Sequence, residues 1–350
     1  MSRSLPKLPG KLGNPNLTLA TDPRLAAVFA EGGIVDDFPL GADASYQEIV
    51  DHIGEMEAEL DPFYQEMFGA LPPVTGISRH TEVIEGVDGN EISLFIHQPA
   101  GRDGPLPGIV HTHGGGMVLC AAADIEYVRW RDELAATGLC VVGVEFRNGG
   151  GKLGNHPFPA GLNDCASGTQ WTHQNRGVLG ISRIVVSGES GGGNLCLATA
   201  LKARQEGWID QIDGVYSCCP YISGTYNPAP SELMSLFENE DYLLESESTQ
   251  LLCKAYDPDG EQANNPLAWP YQASQDDLAG LPPHTISVNE LDPLRDEGLI
   301  YARKLAAAGV SVISRTVNGT CHGGDTDCLA VIPDIYYSTI RDVHSFAASL

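Results

Sequence analysis

The chain has 350 residues, and 20 Lys and Arg against 46 Asp and Glu leave a formal charge of −26 at pH 7, which argues against nucleic acid as a partner because phosphate binding needs a basic face. With 42% apolar residues there is enough to build a sizeable core, so disorder is excluded, and the length suits one large α/β domain or two ordinary ones. Nowhere is there a run of about eighteen apolar residues, and Met1 to Lys7 lack the apolar stretch of a signal peptide, so a cytoplasmic protein without a membrane contact is expected.

Nine cysteines without regular spacing fit no zinc or redox motif and read as free thiols. Six lysines against fourteen arginines accompany the acidic surface, a pattern that serves solubility or salt tolerance.

Residues 1–75 are rich in Pro, Gly and acids, with helical stretches near Ser45–Glu59 and Asp61–Phe68 and no strand pattern. They read as a cap segment appended to the core. Then β-type runs begin. Thr81–Val87 and Glu91–Gln98 flank Asp88-Gly89-Asn90, a hairpin signal. Gly108–His113, Cys140–Phe146, Arg183–Ser187, Gly214–Cys219, Thr285–Glu290 and Ser311–Asn318 complete eight strands. The later ones are short and continuously apolar, as strands buried on both faces of a parallel sheet are. Helical patterns separate them at Ile125–Thr137, Ala160–Asn175, Gly192–Glu206 and Pro293–Ala308, with a last one near Ile335–Ala348. This alternation predicts an α/β fold: one eight-stranded, mostly parallel sheet opened by an antiparallel hairpin and flanked by helices. Residues 221–275, with five prolines among acids and aromatics, are too long for one crossover. They read as a cap insertion, leaving 76–220 and 276–350 as the core. Trp269, Tyr271, Phe237 and Met234 are candidates to line a pocket beneath the cap, with core packing the competing role.

Four short segments carry chemistry. Gly188-Glu189-Ser190-Gly191-Gly192 is a G-x-S-x-G between a buried strand and a helix, the context of a nucleophile elbow, although glycine-rich turns of this kind also bind phosphate or simply pack. His113-Gly114-Gly115-Gly116 ends a strand with three unobstructed amides, two of which with that of Gly191 would make an oxyanion hole. A metal role for His111 and His113 is weak, because no further ligand follows at a recognisable spacing. Asp292, before Pro293, is an ideal helix N-cap and equally a carboxylate able to orient a histidine; Glu290 and Asp296 compete for the second role. His322 sits in a glycine-flanked loop after the last strand, where α/β sheets hold their ligands. The chain order Ser190, Asp292, His322 is that of α/β-hydrolase triads.

On His113–Gly116, His156-Pro157-Phe158-Pro159-Ala160-Gly161, Gly188–Asn194, Asp292-Pro293-Leu294-Arg295-Asp296-Glu297 and His322-Gly323, the chain resembles the hormone-sensitive-lipase-like family of α/β-hydrolase esterases over roughly residues 105–325. The resemblance implies an α/β-hydrolase fold and a carboxylesterase. It makes Ser190 the nucleophile, His322 the general acid/base, Asp292 its orienter, and Gly114, Gly115 and Gly191 the oxyanion donors. It also makes a homodimer possible. Two features depart from the family pattern: the elbow carries Glu189 and Gly191 where Asp and Ala are usual, and Glu145–Gly151 replaces the usual Asp-Tyr-Arg-Leu-Ala-Pro-Glu. The same triad serves esters, amides or lactones, with short- to medium-chain esters expected. A ligand-binding protein on the same scaffold is disfavoured because all three triad residues are present. No dinucleotide fingerprint or P-loop implies a cofactor.

Overall fold

The computed structural model describes residues 20–30, 40–41, 43–101, 104–240 and 242–350. Residues 1–19 and 31–39 of the expected N-terminal cap lie outside them. The strands are β1 (Ile77–Glu85), β2 (Glu91–Pro99), β3 (Leu106–Thr112), β4 (Cys140–Val144), β5 (Ile181–Glu189), β6 (Gly214–Cys218), β7 (His284–Asn289) and β8 (Val312–Val317). They form one sheet in the order β1-β2-β4-β3-β5-β6-β7-β8. β2 runs antiparallel to β1 and β4, and every other pairing is parallel. The expected hairpin turn is present, with Gly86 N–H donating to Asn90 O and Gly89 at φ 75°.

The helices are α1 (Pro23–Ala30), α2 (Tyr46–Gly69), α3 (Ile125–Ala136), α4 (Ala160–Leu179), α5 (Gly191–Glu206), α6 (Ser235–Glu238), α7 (Ser246–Tyr256), α8 (Gln275–Leu278), α9 (Arg295–Ala307), α10 (Gly324–Asp327) and α11 (Pro333–Ser349). Side chains alternate across the central strands, so each strand feeds two cores. Val110, Val142 and Val186 join Leu195 and Leu201 of α5 and Tyr301 of α9. Ile109, Val141 and Val185 join Trp130 and Leu134 of α3 and Tyr336 and Ile340 of α11 on the opposite face. Among the described residues no helix is long and apolar enough to cross a membrane.

The two helical stretches expected before residue 70 are one helix, α2, which runs through Pro62. Its start is fixed by a capping box between Ser45 and Glu48. Ile49 and Ile53 pack into one core and Phe68 into the other, so tertiary contacts on both sides of the proline hold a helix whose own hydrogen bonding is interrupted there. Its buried Glu57 accepts the Cys120 N–H at 2.7 Å, tying the helix to the loop after β3.

β3 is the position where the chain reverses its direction of travel across the sheet: β4 was added on one side of it and β5 on the other. The crevice between diverging connections at such a point is where open α/β sheets place ligands. The two glycine-rich segments lie at the C-terminal ends of β3 and β5.

Candidate active site

Ser190 joins β5 to α5 with φ 54° and ψ −117°, a region that non-glycine residues rarely occupy and that persists only where neighbours enforce it. Here the enforcement is steric: a Cβ on Gly192 would lie 2.0 Å from Thr112 O, so only glycine lets the elbow sit this close to β3. Ser190 N–H donates to Cys218 O, and Ser190 O accepts from Tyr221 N–H. The serine is thereby held by the end of β6 as well as by its own strand.

His322 Nε2 lies 2.8 Å from Ser190 Oγ, and its Nδ1 lies 2.8 Å from Asp292 Oδ2. Asp292 is fully buried. Its other oxygen, Oδ1, accepts the Leu294 N–H at 2.8 Å, so the turn-capping and histidine-facing roles fall to different oxygens of one carboxylate. The helix itself begins later than expected, at Arg295. The rival carboxylates are engaged elsewhere: Glu290 Oε2 accepts from Gly319 N–H and Asp296 Oδ2 from Ser235 N–H, each at 2.8 Å. Burial opposes charging of His322, but the facing Asp292 carboxylate outweighs it and raises the imidazole above its ordinary pKa.

The loop after β3 turns over the serine with Gly115 at φ 89°, Gly116 at 60° and Met117 at 63°. The Gly114 amide is not free to face an oxyanion. It donates to Glu189 Oε1 at 3.0 Å, and this corrects the expectation that Gly114 donates to an oxyanion. The loop approaches the elbow through its next residues: a Cβ on Gly191 would lie 2.6 Å from Gly116 N and 2.5 Å from Met117 N. Gly191 opens α5, where backbone amides lack partners within the helix. Gly191→Ala should therefore push the loop away; if these amides serve an oxyanion, as the sequence leads one to expect, kcat/KM falls by about 100-fold or more. Steady-state kinetics beside a thermal melt would check this, and a variant with wild-type kcat/KM would mean that the loop has room.

His113 stacks on Phe146 with ring centroids 4.1 Å apart, and its Nδ1 reaches Gly114 O at 2.9 Å. Burial lowers its pKa to about 3, so it is a neutral strut for the loop. Among the described residues neither it nor His111 takes part in a potential metal cluster. Among the described residues Cys120, Asp124 and Glu126 bring ligand atoms within 4.8 Å of one another. Asp124 already meets Lys152 Nζ at 2.6 Å and Ala121 N–H at 2.8 Å, so the site holds a cation of its own.

Ser190 and His322 open onto a cavity of about 170 Å³. Met56, Leu60 and Tyr64 of α2 form one wall, and Leu243, Leu244 and Leu252 form another. A second chamber of about 70 Å³ shares Tyr64, Leu243, His322 and Asp327 with the first and is closed by Leu25, Phe29 and Phe63. The four residues expected to line the pocket do not: Trp269 is buried edge-on against Tyr221 and Tyr256, Tyr271 lies beside Lys304 Nζ, and Phe237 and Met234 face outward with 57% and 50% exposure. The lining leucines carry no periodic signal that could have singled them out. Sequence reasoning also missed Asp327, which borders both chambers and is pushed up to about 7 by burial and the nearby Glu189. It missed as well the contacts of Glu189, whose only signal was its place in the elbow.

The sheet order and this constellation define an α/β-hydrolase, and the sequence model described as the alpha/beta hydrolase fold matches residues 109–325; the chain belongs to that family. It is 33% identical over 232 residues to carboxylesterase NlhH of Mycobacterium tuberculosis, covering 65% of this chain and 69% of that protein. An arylesterase of Saccharolobus solfataricus is 28% identical over 277 residues, covering 78% and 86%. Among solved structures, a brefeldin A esterase described as a bacterial homologue of human hormone-sensitive lipase superposes with a TM-score of 0.92 at 44% identity, covering 97% of this chain and 98% of its own. The expected resemblance to hormone-sensitive lipase relatives is thus borne out. Esterase Est22 superposes with a TM-score of 0.84 at 35% identity, covering 94% and 97%.

Proposed function

We propose that this chain is a serine carboxylesterase for short- to medium-chain esters. Its class, a carboxylic ester hydrolase, is that of the relatives it resembles along most of its length. The observation that carries the finer reading is the unbroken line from Ser190 Oγ through His322 to Asp292, with 2.8 Å at both contacts. In this reading His322 accepts the serine proton as Oγ attacks the ester carbonyl. Gly115, Gly116 and Gly191 donate their amides to the oxyanion, and the imidazolium, steadied by Asp292, protonates the leaving alcohol. Water then repeats the cycle on the acyl-enzyme. The described residues of the N-terminal segment, Leu25 to Met67, and those of 221–275 act as a cap whose apolar walls exclude water, and the larger chamber beside the glycine amides takes the acyl chain.

Initial rates on p-nitrophenyl esters from acetyl to palmitoyl test the reading. Turnover should peak among the short chains and be absent for palmitate, because the cavity is small and bounded. A folded protein that turns over no ester but cleaves amides or lactones would replace the substrate class while keeping the triad.

A further inference from the structure

Glu189 is buried beside the nucleophile with 4% exposure, and the mechanism above gives it no task. Its Oε1 accepts the Gly114 N–H at 3.0 Å and its Oε2 lies 3.0 Å from His111 Nε2. His111 is fully buried on β3, and its remaining nitrogen, Nδ1, has no hydrogen-bond partner among the described residues. Glu189 thus spans three pieces of the site: it ends β5, fastens the first glycine of the loop, and is itself held from β3. Glu189 and Gly191 are the two elbow positions that depart from the family pattern, and both face this loop. With the carboxylate drawing Gly114 in, the backbone of Gly116 and Met117 occupies the space that a side chain at 191 would need.

Resting on the serine esterase reading, we propose that Glu189, paired with His111, is a positioning residue that pins the oxyanion loop against the elbow and must stay neutral for turnover. The geometry gives the reason. Both side chains are buried, and Glu189 is bonded directly to the loop proposed to supply amides to the developing negative charge. There an added negative charge opposes the oxyanion strongly. The titratable groups around Glu189 are His111 on β3, Tyr127 and Arg131 on α3, Cys196 on α5, Cys218 on β6 and Asp327 on α10. Burial is the dominant influence and raises Glu189 to about 8, with the Gly114 N–H and Arg131 pulling the other way. Burial also holds His111 well below its ordinary pKa. Below about pH 8 the pair therefore holds two protons and is neutral; above it one proton is lost and the pair carries a negative charge.

The test is a pH profile of kcat and KM, followed by titration of released acid on a soluble short-chain ester. It compares wild type, Glu189→Gln, Glu189→Ala, Asp327→Asn and Ser190→Ala. Wild type should lose activity with a midpoint near pH 8. In Glu189→Gln, which keeps an oxygen for Gly114 N–H but cannot ionise, the alkaline fall should vanish, with kcat lowered a few-fold and KM little changed. In Glu189→Ala kcat should drop on the order of 10²-fold or more, again with little change in KM. Should Glu189→Ala fail to fold, the glutamine profile decides alone. An alkaline fall that survives in Glu189→Gln, or one that disappears in Asp327→Asn instead, overturns the proposal. Turnover in Ser190→Ala would sink the triad reading beneath it, whereas an inactive Ser190→Ala with an unaltered glutamine profile sinks only the role of Glu189.

Discussion

Ser190→Ala is expected to lose turnover by on the order of 10⁴–10⁶-fold while KM for a short ester stays within a few-fold of wild type. The hydroxyl is the only group in the proposed mechanism that forms a covalent bond to the acyl carbon. Without it His322 has no proton to take, and the cavity and glycine amides are left to orient an ester for attack by unactivated water. The fold should be indifferent. The elbow is held by Gly192 against Thr112, by the backbone bonds from Ser190 to Cys218 and Tyr221, and by buried Asn194 Nδ2 on the carbonyls of Tyr221 and Ala268, none of which uses Oγ. Stopped-assay rates together with a thermal melt check both halves. Activity within tenfold of wild type in a folded Ser190→Ala would assign the chemistry to another group.

Asp292→Asn should lower kcat by about 10⁴-fold, because an amide in place of the carboxylate presents an N–H to Nδ1 and favours the wrong imidazole tautomer. A pH effect accompanies it, with a definite sign. The reactive form of His322 is neutral, so the rate rises as pH passes upward through its pKa, and in wild type that midpoint should lie above the ordinary histidine value because the Asp292 carboxylate favours the charged ring. Removing the charge leaves burial as the dominant influence, and the rising limb should move to lower pH. The asparagine can still accept the Leu294 N–H through its oxygen, so stability should change little. A limb that stays in place, or a loss of only a few-fold, would transfer the orienting role to another carboxylate. Glu290 and Asp296, fastened to Gly319 and Ser235, would have to leave those partners to assume it.

What could be read from the chain follows from local rules. β4 is apolar at every position and buried at every position, and the period and length of such runs identify strands of a doubly covered sheet without any tertiary knowledge. The hairpin needed only Asp88-Gly89-Asn90. The positions of Ser190, Asp292 and His322 at strand ends followed from the same alternation, because each lies where an apolar run stops and glycine, proline or an acid begins. The failures have a common cause. Pro62 signals an interruption locally, yet α2 continues because Ile53 and Phe68 are held by two different cores. Trp269 and Phe237 look alike as candidate pocket walls, yet one is buried among tyrosines and the other faces solvent.

The oxyanion loop gives the sharpest case. Three consecutive glycines announce an amide-rich turn, but which amides are available depends on what each N–H meets. Gly114 meets Glu189, a residue 75 positions away in the chain. The sequence by itself determined the fold class and the order of the chemical groups, since these rest on periodicity and on turn-forming residues whose effects reach only a few neighbours. The tertiary structure alone decided which glycine amide meets Glu189, which leucines wall the cavity and which carboxylates are buried, because hydrogen-bond partnership and burial depend on distances between strands that the chain brings together only when it folds.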